Sequence, residues 1–147
     1  MSIKSDLAIQ CFNGGFNCAQ AVLTAYSEDF GLDTKTALKV SGAFGGGMGH
    51  TGQTCGAVSG ALMVIGLKYG KFTADDNKAK EMTYGLAKEF AKHFKAEFGS
   101  VSCKGLLKYD ISHGDELQSA KAAGVFDSIC PQLVKRAVEI VEEIIGK

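Results

Sequence analysis

Five cysteines hold the most reactive chemistry in this sequence: Cys11, Cys18, Cys55, Cys103 and Cys130. The thiolate is the form that attacks disulfides, binds soft metals and reduces oxidants, so what matters is where a thiol loses its proton. Four of the five share a local context. Cys18 follows Asn17, Cys55 follows Thr54, Cys103 follows Ser102 and Cys130 precedes Pro131, and each falls at the start of an expected helix. A helix N-terminus presents unpaired N–H donors and a partial positive charge, both of which favour a thiolate. Cys11 falls near the end of the first expected helix, where the dipole has the opposite sign. It reads as a packing residue on a stripe with Ile3 and Leu7. Taken singly, any of these thiols also reads as a small buried hydrophobe.

Zinc ribbons and thioredoxin-like sites use C-x-x-C pairs, and this chain has none. Any shared site must therefore be assembled from separate helices. Four thiolates cannot simply sit together. At about 6 Å and an effective dielectric of ~20, each pair repels by roughly 2.5 kcal/mol, or on the order of 15 kcal/mol over all pairs. Helix termini return only ~1–2 kcal/mol each. A converged site must hold a cation or an iron–sulfur cluster, keep some thiols protonated, or form disulfides. The spacing leaves these alternatives open.

The elements that must position the cysteines are helical. No run with a period of two and rich in Val, Ile and Thr marks a strand. A first helix is expected over 4–12. Asn17 caps a second, reaching about Glu28, and Asp33 caps a third carrying Ala37, Leu38 and Val40. From Val40 to Leu67 there is no Asp, Glu, Lys or Arg. The first half of that window, Gly42 to Thr54, is dense in glycine and is expected to be irregular. The second half, Cys55 to Leu67, is apolar almost all round and reads as a buried helix. Thr73 with Asp76 reads as a capping box for a long helix to Phe98, with the stripe Met82, Leu86, Phe90 and Phe94. Gly99 stops it. Ser102 caps a short helix to Leu107, another lies near Asp115–Ala122, and Pro131 opens a final helix packing Val134, Val138, Val141 and Ile145. The expected fold is all-α: a single compact multi-helix domain over 1–147, with a Gly-rich loop leading into a buried central helix.

At Cys55 the sequence reads Cys-Gly-Ala-Val-Ser-Gly. Near the start stands Phe16-Asn17-Cys18-Ala19-Gln20-Ala21-Val22, in the middle Ser102-Cys103-Lys104, and near the end Ile129-Cys130-Pro131. With the Gly-rich segment before Cys55, this pattern resembles the C_GCAxxG_C_C family of redox-active proteins over nearly the whole chain. Similar domains, including the one attached to split-Soret cytochromes, look like binders of a [2Fe–2S] cluster. The resemblance implies Cys18, Cys55, Cys103 and Cys130 as ligands and an electron-transfer or redox-sensing role. A cluster-free thiol/disulfide oxidoreductase and a structural zinc module stand as alternatives. Cys11 matches no family cysteine.

Other features narrow the partners. Lys+Arg and Asp+Glu both total 16, so no excess of positive charge calls for nucleic acid. No apolar run follows the first lysine and no stretch reaches membrane-span length, so a cytoplasmic setting without membrane insertion is expected. There is no C-x-x-C-H for haem. Gly47-Met48-Gly49-His50-Thr51-Gly52 matches G-x-G-x-x-G, but no strand precedes it, so no nucleotide is expected. Gly46, Gly47 and Gly56 are instead read as cofactor-binding: they let the backbone approach the cysteines and donate N–H groups to sulfur. His50, near Cys55, reads as a loop residue in preference to a ligand or a proton donor. Small residues four apart at Gly56 and Gly60 read as core packing in preference to a dimer contact, although a homodimer stays open. The Lys-rich face of 78–95 is a solvated surface, or a docking face for an acidic redox partner.

Overall fold

The computed structural model describes residues 2–146. In chain order it runs α1 (Ile3–Asn13), α2 (Cys18–Tyr26), a 3₁₀ turn (Glu28–Phe30), α3 (Thr34–Ser41), a 3₁₀ turn (Gly42–Phe44), the single turn α4 (Gly45–Met48), α5 (Gly56–Tyr69), α6 (Asn77–Phe98), α7 (Cys103–Leu107), α8 (Gly114–Ala122), α9 (Val125–Ser128) and α10 (Cys130–Ile145). The all-α expectation holds: among the described residues the only β feature is an isolated bridge between Thr54 and Ser102. No helix is long and apolar enough to cross a membrane.

The core forms where α2 meets α1 and α5, closed by α10, which packs on α1, α2, α5 and α6. Helix α10 buries Leu133, Val134, Ala137, Val138, Ile140, Val141, Ile144 and Ile145, including all four residues expected from its spacing. Each large aliphatic buried there contributes about 1.5–3 kcal/mol. Tyr26, nearly fully buried, donates its hydroxyl to the Val138 carbonyl at 3.0 Å and ties α2 to α10. The small residues of α5 serve close packing. A Cβ on Gly60 would lie 2.9 Å from the Ala19 carbonyl and 3.0 Å from Val22 Cβ, so α2 presses directly on the α5 backbone.

Several local expectations need correction. The Ile3–Leu7–Cys11 stripe is not buried. Ile3 is 81% and Leu7 47% exposed, and α1 turns Ser5 and Ala8 inward, whose small size lets α1 lie close to its neighbours. Thr73 does not cap α6. Asp76 does, accepting from the Ala79 N–H at 3.1 Å, and the helix begins at Asn77. Within the α6 stripe Phe90 and Phe94 are fully buried, but Met82 is 52% exposed because the first half of α6 runs past the core. Helix α5 is buried on one side only: Leu62 is exposed, and Met63 and Leu67 are half-buried.

The Gly-rich segment is ordered into regular turns. Gly46, Gly47, Met48, Gly49 and His50 all have positive φ, from 64° to 72°, and form a left-handed turn. The Gly49 N–H bonds to the Gly45 carbonyl at 2.8 Å, and the Gln53 N–H to the Gly47 carbonyl at 3.0 Å. Left-handed turns cost L residues roughly 1–2 kcal/mol each, which is why glycine fills most of these positions.

Candidate functional site

Cys18 is placed by the cap beside it. The Asn17 side chain accepts from the Gln20 N–H and the Gln20 side chain accepts from the Asn17 N–H, both at 2.9 Å, a reciprocal capping box. The same two side chains reach outward: Asn17 donates to the Gly42 carbonyl and Gln20 to the Leu38 carbonyl, each at 3.0 Å. The start of α2 is thereby fastened to the segment that leads into the left-handed turn.

Cys55 and Cys103 are brought together by backbone pairing. The Cys55 N–H donates to the Val101 carbonyl at 2.8 Å, and the Cys103 N–H to the Gln53 carbonyl at 2.6 Å. These bonds flank the Thr54–Ser102 bridge, so the residues before α5 and before α7 run antiparallel. Ser102 caps α7 through the Gly105 N–H at 2.9 Å. Cys130 is the first residue of α10, with Pro131 inside its first turn.

These three placements deliver Cys18, Cys55, Cys103 and Cys130 to one cavity of about 140 Å³. All four are buried free thiols, and Cys11 is not among the lining residues. Cys11 is half-buried and receives a weak hydrogen bond from Thr24 Oγ1 at 3.6 Å. The cavity is otherwise bounded by Asn17, His50, the backbone of Gly46, Gly47 and Gly56, and the apolar side chains of Phe12, Leu106, Leu107, Phe126 and Leu133. No Asp, Glu, Lys or Arg lines it. Glycine is needed where the wall is thinnest: a Cβ on Gly47 would lie 2.6 Å from Cys103 Cβ, and one on Gly56 3.2 Å from Cys18 Cβ.

Burial overrides the helix termini in setting the thiols. Desolvation pushes Cys55 up to about 11, although the Ala57 and Val58 N–H groups at the start of α5 pull the other way. Desolvation and the neighbouring Cys55 and Cys130 push Cys103 up to about 12. Cys18 and Cys130 share a hydrogen bond in which Cys18 keeps its proton, so Cys18 is raised and Cys130 lowered. Of the easy ionisation expected at four helix starts, only that of Cys130 is found; for Cys55 and Cys103 a carboxylate-free, cation-free cavity penalises charge more than a helix terminus rewards it. Among the described residues, no three His, Cys, Asp or Glu side chains are grouped closely enough to hold one metal ion. The four cysteines line one cavity together.

The apolar wall was missed at the sequence level, yet a signal existed. Leu106 and Leu107 stand three and four residues after Cys103, and Leu133 three after Cys130, the spacings that share a helix face, whereas Phe126 comes from the separate helix α9. His50, read as a loop residue, lines the cavity directly.

No curated protein and no solved structure matches the chain. A family model does, over residues 16–144, with the description "Putative redox-active protein (C_GCAxxG_C_C)". That match spans α2 through nearly all of α10 and includes every cysteine of the cavity while leaving Cys11 outside, and the chain belongs to the C_GCAxxG_C_C family of redox-active proteins.

Proposed function

We propose that Cys18, Cys55, Cys103 and Cys130 ligate a [2Fe–2S] cluster and that the protein works in electron transfer or redox sensing. The observation that supports this most is the single cavity lined by four buried thiols with no cationic side chain to balance them. The donor set fits. A [2Fe–2S] centre takes four thiolates shared between two irons, so its ligands surround a space, whereas a lone zinc needs all four sulfurs about 2.3 Å from one point.

When bound, such a cluster supplies one-electron chemistry. The chain's own residues supply the rest. The four cysteines give up their protons to hold it, two of them held in register by the 52–55 and 101–104 backbone pairing. Phe12, Leu106, Phe126 and Leu133 exclude water. Gly46, Gly47 and Gly56 line the cavity without side chains, and the Ala57 and Val58 N–H groups face the Cys55 sulfur, where they would help set the potential. This reading treats 1–147 as one domain in a cytoplasmic setting, serving a protein redox partner.

Anaerobic purification followed by an absorption spectrum and iron and sulfide assays tests it. The expected product is red-brown with equal iron and sulfide. Zinc without sulfide overturns the proposal. A second reading is favoured by Cys18 and Cys130 being free buried thiols of the same cavity that influence each other's ionisation, so that a two-electron oxidant could join them as a disulfide. A colourless protein that gains a Cys18–Cys130 disulfide on mild oxidation would move the function there.

A further inference from the structure

His50 occupies a position that its backbone argues against. It has φ 64° within a turn otherwise made mainly of glycine, a conformation L side chains rarely adopt. Its side chain lies over Gly46: a Cβ built there would meet His50 Cδ2 at 2.1 Å. The imidazole lines the cysteine cavity on one side. On the other it lines an open outer recess of about 380 Å³, formed with Asn17, Gly42, Gly45, Gly46 and Gly49. Only Asn17, Gly46 and His50 belong to both spaces. Asn17 is fastened by its capping box and by Gly42, and Gly46 is backbone. Among the described residues, neither a hydrogen bond nor an ion pair holds the imidazole. It rests by contact alone.

We infer that His50 is a door between solvent and the cysteine site, seated on Gly46 when closed, and that it admits small uncharged molecules. Neither space is lined by an Asp, Glu, Lys or Arg, so a charged visitor would shed water without finding a partner. The inference rests on the reading of the four cysteines as the site and holds whatever they bind.

The test is the rate at which each cysteine of the reduced full-length chain, as purified, is alkylated by iodoacetamide, resolved by peptide mass spectrometry. The thiolate displaces iodide, and its proton goes to buffer. Cys11, outside the cavity, is the internal control. His50→Gly suits the backbone and removes the ring; the cavity cysteines should react at least tenfold faster while Cys11 keeps its rate. His50→Phe restores bulk without the imidazole nitrogens and should keep the slow rate. The uncharged reagent should outpace iodoacetate at the cavity cysteines by at least tenfold more than at Cys11. Unchanged cavity rates in His50→Gly overturn the door, as does equal acceleration of Cys11, which would mean general loosening. A His50→Phe variant as fast as His50→Gly overturns it too, because ring chemistry rather than bulk would then be at work. Iron and sulfide assays on the same samples separate the readings: a colourless chain whose rates obey residue 50 keeps the door and loses the cluster.

Discussion

Gly47→Ala is the sharpest single test of how the left-handed turn serves the cysteines. The new Cβ would lie 2.6 Å from Cys103 Cβ, 2.7 Å from the Gln53 nitrogen and 2.8 Å from the Gly52 carbonyl carbon, at φ +68°. Two of these neighbours are backbone and cannot rotate away. The left-handed conformation costs alanine about 1–2 kcal/mol. Displacing packed neighbours adds about 1–3 kcal/mol. The total, roughly 2–5 kcal/mol, corresponds to a fall in Tm of roughly 5–20 °C for a chain of this size. Gly85→Ala is the matched control. Gly85 lies exposed within α6, with nothing within 4 Å of the added Cβ. It should gain about 0.5–1 kcal/mol from helix propensity. Thermal unfolding of both variants under reducing conditions reads the contrast. A Gly47→Ala protein within about 0.5 kcal/mol of the parent would refute the reasoning, because the turn would then be loose enough to accept a side chain against Cys103.

Asn17→Ala removes the α2 cap and the bond to Gly42; it should lower stability by about 1 kcal/mol in urea unfolding and speed alkylation of Cys18 more than that of Cys55. Cys11→Ala should keep the iron content of the parent while Cys18→Ala loses it, as metal analysis of the two purified variants will show; equal loss in both would bring Cys11 into the site.

Signals confined to three or four residues transferred well from sequence to structure. The Asn17, Asp33 and Ser102 caps and the Gly99 stop stand where expected, because each depends on one side chain and the N–H groups next to it. The α10 stripe was legible for a related reason: its apolar face is so regular that only one orientation buries it. Tertiary choices were less visible. Whether Ile3 and Leu7 or Ser5 and Ala8 face inward depends on how closely α1 approaches its neighbours, which α1 alone does not encode. The glycines between 45 and 52 announce conformational freedom but not handedness, so the left-handed turn, and with it the placement of His50, was not legible. The meeting of the four cysteines followed from their shared helix-start context and the family resemblance rather than from spacing. Their long separations are closed by the 52–55 pairing with 101–104 and by the fastening of α2 to 38–42.

The protonation of the cavity decides between two pictures of these thiols. If helix termini governed, several of the four would be thiolates near neutral pH, and mutual repulsion would strain the fold. The structure puts desolvation first, with Cys55 near 11, Cys103 near 12 and Cys18 protonated by its bond to Cys130. Only Cys130 lies below the ordinary thiol value. Thiolate absorbance near 240 nm in the metal-free protein should therefore show at most one cavity thiolate at pH 8 and rise mainly above pH 10, with Cys→Ser variants assigning each step. The sign of the stability change follows. Cys55 and Cys103 have folded values above the 9.0 of an ordinary thiol, so their contribution is fully present below pH 9 and is lost as pH rises through about 11 and 12. Metal-free protein should thus weaken in urea between pH 9 and 12, and less so in Cys55→Ser. Two or more cavity thiolates at pH 8 would refute this ordering and return the site to the helix dipoles. If the ordering holds, anything the cavity binds through sulfur must displace protons, and its affinity will climb with pH.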